Sequence, residues 1–505
     1  MNRRQMLKSL ALCGGVAATG LPKLVKAKSK TVSAVNYKAL FEKALKENPK
    51  LIGYSGVEHD LMSENLVIEG RLPMDLRGHF YRNGPARLER GEVRYQHLFE
   101  GDGMVHDFAI ANGKIHHRGK FIQTNKYKAE QAAEEFLFSG PDTRLQNSLA
   151  ITKADDINVA NTSILPVGGD LWALWEAGSA TRLDRSSLDY RGQVKLGEQT
   201  AAGSSLAGMP FSAHPKVMPE GDIWNFGYNS TGHIIVYHLN SQGRLLNFKV
   251  VNTQFTGGML HDFLVTQNHV LLILPSIKQN GGNQGYFAQL GFAPEQPLEV
   301  LVLDKTHMAV QRRYELDPAF VFHFGNAWED NQGNIRMDAS LYPHLDVLHK
   351  LSDLMAGKLP KEETNAQPTL ITLYKNGKVD TQAFKIVSEF PRVLPQTTGH
   401  KNQHLYFLSS GQNAVWHDTI CQLNVDNGKL NQFQFGDDFI VEEHVPFSPS
   451  GKENKAYLIG TALHVPTKRS CLNVFDANAL QNGPVCRAWL PYYLPLGFHG
   501  HFQQA

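Results

Sequence analysis

The chain is poor in cysteine, in net charge and in long hydrophobic runs. It has 4 cysteines in 505 residues, and none has the C-x-x-C spacing of a thiolate metal site. Its formal net charge is +2 with both signs scattered, which argues against a nucleic-acid partner. Beyond the N-terminus, no stretch has the roughly 18 apolar residues of a membrane-spanning helix. Thiolate metal chemistry, nucleic-acid binding and a transmembrane span in the mature chain are therefore not expected.

The sequence also lacks linkers. A chain of this length would ordinarily divide into two or three domains. After residue 50, however, there is no Pro/Ser-rich stretch, no charge block and no change in composition. We therefore expect a short N-terminal extension at residues 28–50, followed by a single domain over residues 51–505.

Residues 1–27 have the pattern of an export signal. Arg3 and Arg4 form a twin arginine in M-N-R-R-Q-M-L-K, and an apolar run covers residues 9–21. V-K-A, ending at Ala27, offers a cleavage site with a small residue. The segment resembles a twin-arginine signal, which predicts a periplasmic protein. An ordinary secretory signal and an uncleaved anchor are the alternatives.

What the sequence has in abundance is turn signals between apolar strands. Asn, Asp and Gly tolerate a positive φ and so favour hairpin turns. Seven such turns follow one another at intervals of 50 to 72 residues, at Asn112, Asp184, Asn240, Asp304, Asn376, Asp426 and Asp476. The spacing predicts an all-β fold, a seven-bladed β-propeller with one hairpin per blade. A large all-β protein with unrelated hairpins is the plainer alternative.

Two of the cysteines flank the last of these turns. Cys471 and Cys486 lie on either side of Asp476. They could face each other and pair in an oxidising compartment. Two buried free thiols are an equally good interpretation.

Four histidines are spaced by roughly one blade or a multiple of it. They are His214, His261, His323 and His499, with gaps of 47, 62 and 176 residues. In a propeller, this spacing places one imidazole on each of four blades, all directed at the axis. Four converging neutral nitrogens would form a metal site held by a rigid ring. Because the chain has 22 histidines, a purely structural role remains the alternative.

Several motifs together resemble the carotenoid cleavage oxygenase family, which includes the lignostilbene dioxygenases and the retinoid isomerase. The motifs are G-R-L-P-M-D-L-R-G-H-F-Y-R-N-G-P (Gly70–Pro85), F-E-G-D-G-M-V-H (Phe99–His106), A-N-T-S (Ala160–Ser163), L-W-E-A-G (Leu174–Gly178), S-E-F-P-R-V (Ser388–Val393) and L-P-L-G-F-H-G (Leu494–Gly500). The likeness runs from about residue 50 to the C-terminus. It implies a seven-bladed propeller with a lid of loops and short helices over the metal-bearing axis.

The resemblance also implies a set of site residues. It maps one Fe²⁺ per chain onto His214, His261, His323 and His499. Glu176 and Glu389 match two of the family's three outer glutamates, which hold the ligand rings. The third falls in E-E-H-V-P-F, where the family usually has Glu-Pro. This chain has Glu-His, so Glu443 is our choice, with Glu442 as the alternative. His501 lies just past the matching G-F-H-G and is excluded.

The residue types suit this chemistry. A ligating imidazole needs an acceptor for its second ring N–H, and a carboxylate serves well. Imidazole suits zinc, copper, iron and nickel alike. A four-histidine zinc site would be closed and structural, whereas ferrous iron leaves room for O₂. The choice of iron rests mainly on the resemblance.

The resemblance therefore implies a non-haem iron(II) dioxygenase. It would cleave a C=C bond of a conjugated apolar substrate, a carotenoid, apocarotenoid or stilbenoid, with O₂ to give two carbonyl products. Two alternatives stay open: a non-oxidative isomerase or hydrolase of the same family, and a binding propeller with a structural metal. No catalytic side chain beyond the metal ligands and no organic cofactor is expected.

Three further segments bear on how an apolar substrate would reach the metal. Residues 277–297 predict a long lid loop. Five aromatic residues lie near two of the histidines in sequence, and we expect some of them to line a substrate channel and the others to belong to the core. They are Phe322, Phe324, Trp328, Phe498 and Phe502. One helical face in residues 126–137 either packs onto the propeller or makes peripheral contact with a membrane, and comprises Ala129, Ala132, Ala133, Phe136 and Leu137.

Overall fold

The computed structural model describes residues 30–505, except 32, 34, 200–205, 207–208, 230, 283, 360–364 and 412–414. The predicted export signal at residues 1–27 lies outside this range. Within it, no helix is long and apolar enough to cross a membrane.

Helices are few and short in the described ranges. The α-helices are α1 (Tyr37–Glu47), α2 (Asn125–Ala133) and α3 (Asp346–Met355). Single 3₁₀ turns occupy Pro49–Tyr54, Leu98–Glu100, Ala154–Ile157, Leu196–Gln199, Phe287–Gln289, Pro395–Thr397, Glu453–Lys455 and Leu480–Asn482.

Strands make up most of the regular structure. In chain order the described strands are β1 (Leu61–Ser63), β2 (Val67–Gly70), β3 (Gly78–Arg87), β4 (Glu89–Arg90), β5 (Val93–Arg94), β6 (Asp102–Ala111), β7 (Lys114–Phe121), β8 (Ser163–Val167), β9 (Asp170–Leu174), β10 (Thr181–Asp184), β11 (Tyr190–Gln193), β12 (Lys216–Val217), β13 (Ile223–Asn229), β14 (His233–Leu239), β15 (Leu245–Asn252), β16 (Leu264–Val265), β17 (His269–Leu274), β18 (Ile277–Gln279), β19 (Leu290–Phe292), β20 (Leu298–Asp304), β21 (Val310–Leu316), β22 (Phe320–Val321), β23 (Ala327–Glu329), β24 (Ile335–Tyr342), β25 (Gln367–Leu373), β26 (Val379–Ala383), β27 (Glu389–Arg392), β28 (His404–Ser409), β29 (Thr419–Asn424), β30 (Leu430–Gln434), β31 (Phe439–Phe447), β32 (Tyr457–His464), β33 (Arg469–Asp476), β34 (Cys486–Trp489) and β35 (Gly500–Gln504).

These strands form seven antiparallel blades around one axis. From the innermost strand outwards, the blades are blade 1 (β35-β3-β6-β7-β1), blade 2 (β8-β9-β10-β11), blade 3 (β12-β13-β14-β15), blade 4 (β16-β17-β20-β21), blade 5 (β22-β24-β25-β26, with β23 on β24), blade 6 (β27-β28-β29-β30) and blade 7 (β31-β32-β33-β34-β2). The seven-bladed propeller predicted from the sequence is confirmed.

Each blade contains one of the seven predicted hairpins, always between its third and fourth strands counted from the axis. Asn112 takes a φ of 52° in the turn between β6 and β7. In most of the other blades the Asn or Asp side chain instead accepts a backbone N–H of its own turn, as Asp304 does from His307.

The two chain ends close the ring. Strand β2 pairs with β34, with Val67 opposite Trp489, and so becomes the outermost strand of blade 7. Strand β35 pairs with β3, with Gly78 opposite Gln504, and becomes the innermost strand of blade 1. Each end of the chain thus adds a strand to the blade formed by the other end, and this closes the ring.

The core lies between blades. Along β17, Val270 and Leu272 pack in a cluster with blade 3, while Leu271 and Ile273 pack with blade 5. Successive side chains of a strand point to opposite faces. A strand that is buried on both faces therefore reads as a continuous apolar run, H-V-L-L-I-L, with no alternation.

The lid is built from the N-terminal segment and from long connections between the second and third strands of blades 1, 4 and 5. Helix α3 packs against the 3₁₀ turns Pro49–Tyr54, Leu98–Glu100 and Phe287–Gln289. The predicted long loop at residues 277–297 is in fact a small hairpin of β18 and β19. The described N-terminal segment packs against the propeller and its lid, because Phe41 of α1 is buried in one cluster with Leu51 and Leu496.

The prediction of one apolar helical face over residues 126–137 is wrong. Helix α2 ends at Ala133, and its buried residues are Lys126, Tyr127 and Glu130. The Lys126 Nζ contacts carboxylate oxygens of Asp102 at 2.8 Å and Glu130 at 2.7 Å. A charged group can be buried when it is paired in this way, and a pattern of apolar residues cannot reveal such a face.

The cysteines do not pair. All three in the described chain are buried and free: Cys421, Cys471 and Cys486. On β33 and β34, Cys471 stands opposite Trp489 and Cys486 opposite Val474. The strand register thus holds the two candidate partners apart.

Candidate metal centre

The structure brings the four predicted histidines together on the axis. Each lies beside an innermost strand: His214 before β12, His261 before β16, His323 after β22 and His499 before β35. One ring nitrogen from each falls within 4.8 Å of the other three. They are the one cluster of this kind within the described part of the chain.

The nitrogens that meet are the Nε2 atoms. The Nε2 of His261 lies 3.0 Å from that of His214 and 3.2 Å from that of His323. The ring of His499 stands edge-on to His214, with centroids 4.6 Å apart. Four rings from four blades therefore direct one nitrogen each at a common point.

Three of the rings rest on glutamates through Nδ1. His261 contacts Glu176, and His323 contacts Glu389 at 2.5 Å. His499 contacts Glu443 at 3.0 Å. An ionised carboxylate only accepts hydrogen bonds, so each of these rings donates Nδ1–H and leaves Nε2 free to bind.

The adjacent Glu442 and Glu443 have different partners. The Oε2 of Glu443 also accepts the N–H of Gly500 at 2.7 Å. Glu442 instead pairs with the buried guanidinium of Arg82 and accepts the hydroxyl of Thr461. A bulge in β31 between Val441 and His444 inserts the extra residue. Of the two glutamates that the sequence left as candidates, Glu443 is the one that contacts His499.

The electrostatics fit a cation at the meeting point. Burial holds the pKa of His214, His261 and His499 well below its usual range, and the neighbouring histidines lower it further. Neutral rings that donate Nδ1–H carry an Nε2 lone pair. Lone pairs aimed at one point repel each other unless a positive ion lies between them, so the donor set matches a divalent metal.

Glu389 is kept ionised by its partners. Burial alone would raise its pKa, but the His323 ring, the Phe390 N–H and the Tyr342 hydroxyl hold the pKa below its ordinary value. The Tyr342 hydroxyl donates to Oε1 at 2.7 Å. The carboxylate is therefore fully engaged and fixes the orientation of the His323 ring.

Phe390 has a strained backbone next to the metal ligands. Its φ is 53°, a value that a bulky residue rarely adopts. The strain coincides with a bulge in β27 between Glu389 and Arg392. The Phe390 ring stacks on His323 at 5.1 Å and lies 5.2 Å from His499. One short segment thus provides both a glutamate and an apolar wall for two ligands.

Aromatic rings from the propeller and from the lid approach the same point. Phe322 stands edge-on to His261 with centroids 5.0 Å apart. Phe99 contacts Phe322 and Phe498, at 6.2 and 5.4 Å between centroids. Phe287, from the lid hairpin, contacts Phe99 at 5.5 Å. The predicted apolar lining therefore gains Phe99, Phe287 and Phe390, which lie far from the histidines in sequence.

Other members of the predicted aromatic group lie elsewhere. Phe324 packs in the core between blades 4 and 5. Phe502 stacks on Phe447, with centroids 4.1 Å apart. Trp328 lies near Lys401, at 5.7 Å from ring to ammonium. His501, expected to be no ligand, stands opposite Tyr81 on β3 and is outside the four-histidine cluster.

A seven-bladed propeller with four histidines converging on its axis, three of them backed by glutamates, is the scaffold of an axial metal centre. Residues 56–504 match the RPE65 family, described as retinal pigment epithelial membrane protein. The chain belongs to this family, the RPE65/carotenoid cleavage oxygenases.

Relatives of known activity match over nearly the whole chain. Apocarotenoid-15,15'-oxygenase from Synechocystis is 27% identical over 86% of this chain and 92% of its own length. Lignostilbene-alpha,beta-dioxygenase isozyme III from Sphingomonas paucimobilis is 26% identical over 90% and 98%. A cobalt-substituted structure of the Synechocystis oxygenase superposes with a TM-score of 0.78 at 25% identity, covering 90% of this chain and 98% of that one.

The glutamates behind the rings should tune metal binding. We expect Glu176→Gln and Glu389→Gln each to lower metal affinity or activity by about 10–100-fold, because the amide keeps the shape and loses the charge. Metal titration of the apoprotein measures this. A matched control is Glu329→Gln, which alters a glutamate at 2.9 Å from the non-ligand His269. Equal affinity in all three variants would contradict the assigned roles.

Proposed function

We propose that the protein is a non-haem iron(II) dioxygenase that cleaves a C=C bond of a conjugated apolar substrate and yields two carbonyl products. The observation that carries this proposal is the four-imidazole centre with aromatic rings against it, Phe322 on His261 and Phe99 on Phe322. The relatives named above are oxygenases, whose names specify an apocarotenoid and a lignostilbene. The substrate class proposed here is a carotenoid, apocarotenoid or stilbenoid.

The metal proposed is one Fe²⁺ per chain, held by His214, His261, His323 and His499. Ferrous iron bound by neutral imidazoles supplies the redox chemistry through which O₂ reacts with a double bond. Glu176, Glu389 and Glu443 keep three of the rings in the tautomer that leaves Nε2 free.

The protein's own contribution is positioning. Phe322 and Phe498 each stand nearly perpendicular to the ring of Phe99, and Phe322 lies against the ligand His261. Such surfaces bind a flat conjugated chain by stacking and exclude water from it. These rings would hold one part of the conjugated substrate next to the metal, and that part would determine which double bond is cut. No side chain needs to act as a nucleophile or as an acid–base group.

The proposal is tested by turnover with a defined set of reagents. Iron-loaded protein in air, without NADH, flavin or 2-oxoglutarate, is expected to convert one of a panel of carotenoids, apocarotenoids and stilbenes. Mass spectrometry should then find two aldehydes or ketones whose carbon counts sum to that of the substrate. A product that retains the whole carbon skeleton without O₂ uptake would refute cleavage.

For the chain as a whole we propose a twin-arginine signal at residues 1–27, an extension at residues 28–50 and one catalytic domain at residues 51–505. The mature protein would work in the periplasm, with peripheral membrane contact to collect its substrate. Exposed Leu40 and Leu359 lie on segments that adjoin at Gly357 and could form this contact.

Cell fractionation tests the proposed periplasmic location. Wild-type protein should appear in the periplasm, part of it bound to membranes and released by mild detergent, because the proposed contact is apolar. The double change Arg3→Lys and Arg4→Lys should leave the precursor in the cytoplasm, whereas Lys23→Arg should export normally. Equal periplasmic yield of all three proteins would contradict a twin-arginine route.

A further inference from the structure

Asp262 directly follows a predicted ligand in M-L-H-D-F, and its buried carboxylate makes contacts in three separate loops. Its Oδ1 accepts the N–H of Phe263, in its own loop, at 2.7 Å. The same oxygen pairs with the Nζ of Lys216 at 2.7 Å. Its Oδ2 accepts the N–H of Phe324 at 3.0 Å.

Each of these contacts lies next to a different histidine. Lys216 follows His214 by two residues, Asp262 follows His261, and Phe324 follows His323. We infer that Asp262 is a positioning residue for the metal centre, a clasp that ties the loops of three ligands to one another across blades 3, 4 and 5.

The loop after His323 shows why a carboxylate is needed. This irregular segment has three consecutive N–H groups without strand partners, of which those of Phe324 and Asn326 are buried. Phe324 donates to Asp262, while Gly325 and Asn326 donate to Asp338 at 2.9 and 3.1 Å. Losing one acceptor would leave a buried amide unpaired, at a cost of about 1–3 kcal/mol. The loop would then shift until the amide found another partner.

The clasp matters most for His214. The other three rings each rest on a glutamate, whereas no carboxylate contacts the His214 ring among the residues described. Its backbone N–H is held by the Ser212 hydroxyl at 3.3 Å. Two residues further on, Lys216 is held by Asp262. The position of the fourth ring therefore depends on its loop, and Asp262 anchors that loop to the loop of the neighbouring ligand.

The electrostatic balance supports the same role. The side chain of Asp262 is 2% exposed and that of Lys216 is 16% exposed. A buried pair of this kind strongly destabilises its surroundings when one partner is removed, because the other charge is left uncompensated. Lys216 would otherwise place an unpaired positive charge beside a metal cation. The carboxylate therefore keeps the centre able to accept Co²⁺ or Fe²⁺.

The test uses Co²⁺ binding to the full-length apoprotein, because the visible absorption of Co²⁺ reports the number and arrangement of its ligands. Asp262→Asn keeps the size of the side chain and loses its charge. We expect Co²⁺ affinity to fall by about 10–100-fold, as for other residues that orient ligands, and the absorption bands to shift. Lys216→Met should produce a smaller change of the same kind.

A double-mutant cycle separates the clasp from general damage. If Asp262 and Lys216 act through each other, the double variant should lose less affinity than the sum of the single losses. The matched control is Asp330→Asn, whose carboxylate accepts the N–H of Gln332 and Asn334, both at 3.0 Å, in a hairpin that contains no ligand. That variant should bind Co²⁺ with wild-type affinity and spectrum.

Either of two results would overturn the inference: wild-type affinity and spectrum in Asp262→Asn, or additive losses in the cycle. If Asp262→Asn does not fold, Lys216→Met alone provides the spectral test, since it keeps the amide contacts. A purely structural role would lower the melting temperature of the apoprotein and leave the Co²⁺ spectrum unchanged. The inference rests on the proposed metal centre and not on the reaction, so a wild-type protein that binds Co²⁺ but cleaves nothing would refute only the function.

Discussion

Replacing any one of His214, His261, His323 and His499 by Ala should abolish turnover and strip the protein of iron. Each ring supplies one of four Nε2 atoms within 4.8 Å of one another, and no carboxylate in the described cluster stands in for a lost ring. The metal stabilises the transition state of the reaction, and losing several kcal/mol of that stabilisation lowers the rate by about 1,000-fold or more. Iron content by elemental analysis should fall from about one per chain towards zero.

The control for this series is His501→Ala. His501 lies two residues after His499 and is outside the cluster, so the variant should keep its iron. Desolvation lowers the pKa of His501 to about 4, and replacing this half-buried ring should affect stability more than metal content. Iron loss in His501→Ala equal to that in His499→Ala would contradict the ligand set, as would active protein that contains zinc and no iron.

The second large effect separates two adjacent glutamates. Glu442→Gln removes the charge that pairs with Arg82, whose side chain is 3% exposed. A buried cation without its partner should lower the free energy of unfolding by about 3–5 kcal/mol. Glu443→Gln should instead lower metal affinity by about 10–100-fold. Its other cationic partner, Arg392, is 36% exposed and can be solvated when the pair is broken.

Two measurements on each variant decide this prediction. Chemical denaturation of the apoproteins gives the free energies of unfolding, and metal titration gives the affinities. The expected pattern is a larger stability loss in Glu442→Gln and a larger affinity loss in Glu443→Gln. The reverse pattern would exchange the roles of the two residues.

Much of the fold could be predicted because it depends on residues that form local turns and recur at a regular spacing. The turns at Asn112, Asp304 and their five counterparts are built on Asn or Asp, and several of these side chains accept backbone N–H groups of their own turn. These residues recur once per blade. The spacing of the four histidines follows from the same repeat. Local turn chemistry and repeat length are properties that a single sequence displays directly.

The resemblance favours Glu443, but the strand pattern alone could not exclude Glu442. Side chains normally alternate along a strand, so two adjacent buried glutamates have no assigned faces. The bulge in β31 depends on the pairing of that strand with β32, which is a tertiary feature. The register that separates Cys471 from Cys486 is a property of the same kind.

The helix at residues 125–133 was misread for a different reason. Apolar periodicity assigns charged residues to the solvent face. Here Lys126 is buried because Asp102, more than 20 residues away in the chain, compensates its charge. Asp262 was overlooked on similar grounds, although its position directly after a predicted ligand was a usable signal.

A dioxygenase of the proposed kind places both atoms of O₂ in the products of the cleaved double bond. Turnover of iron-loaded protein under isotopically labelled O₂, with exchange between carbonyl and water controlled, measures this directly. Label is expected in the new carbonyl group of both fragments, with no external reductant consumed. Label in one fragment only would mean a monooxygenase, and conversion without any O₂ uptake would contradict the proposed dioxygenase reaction.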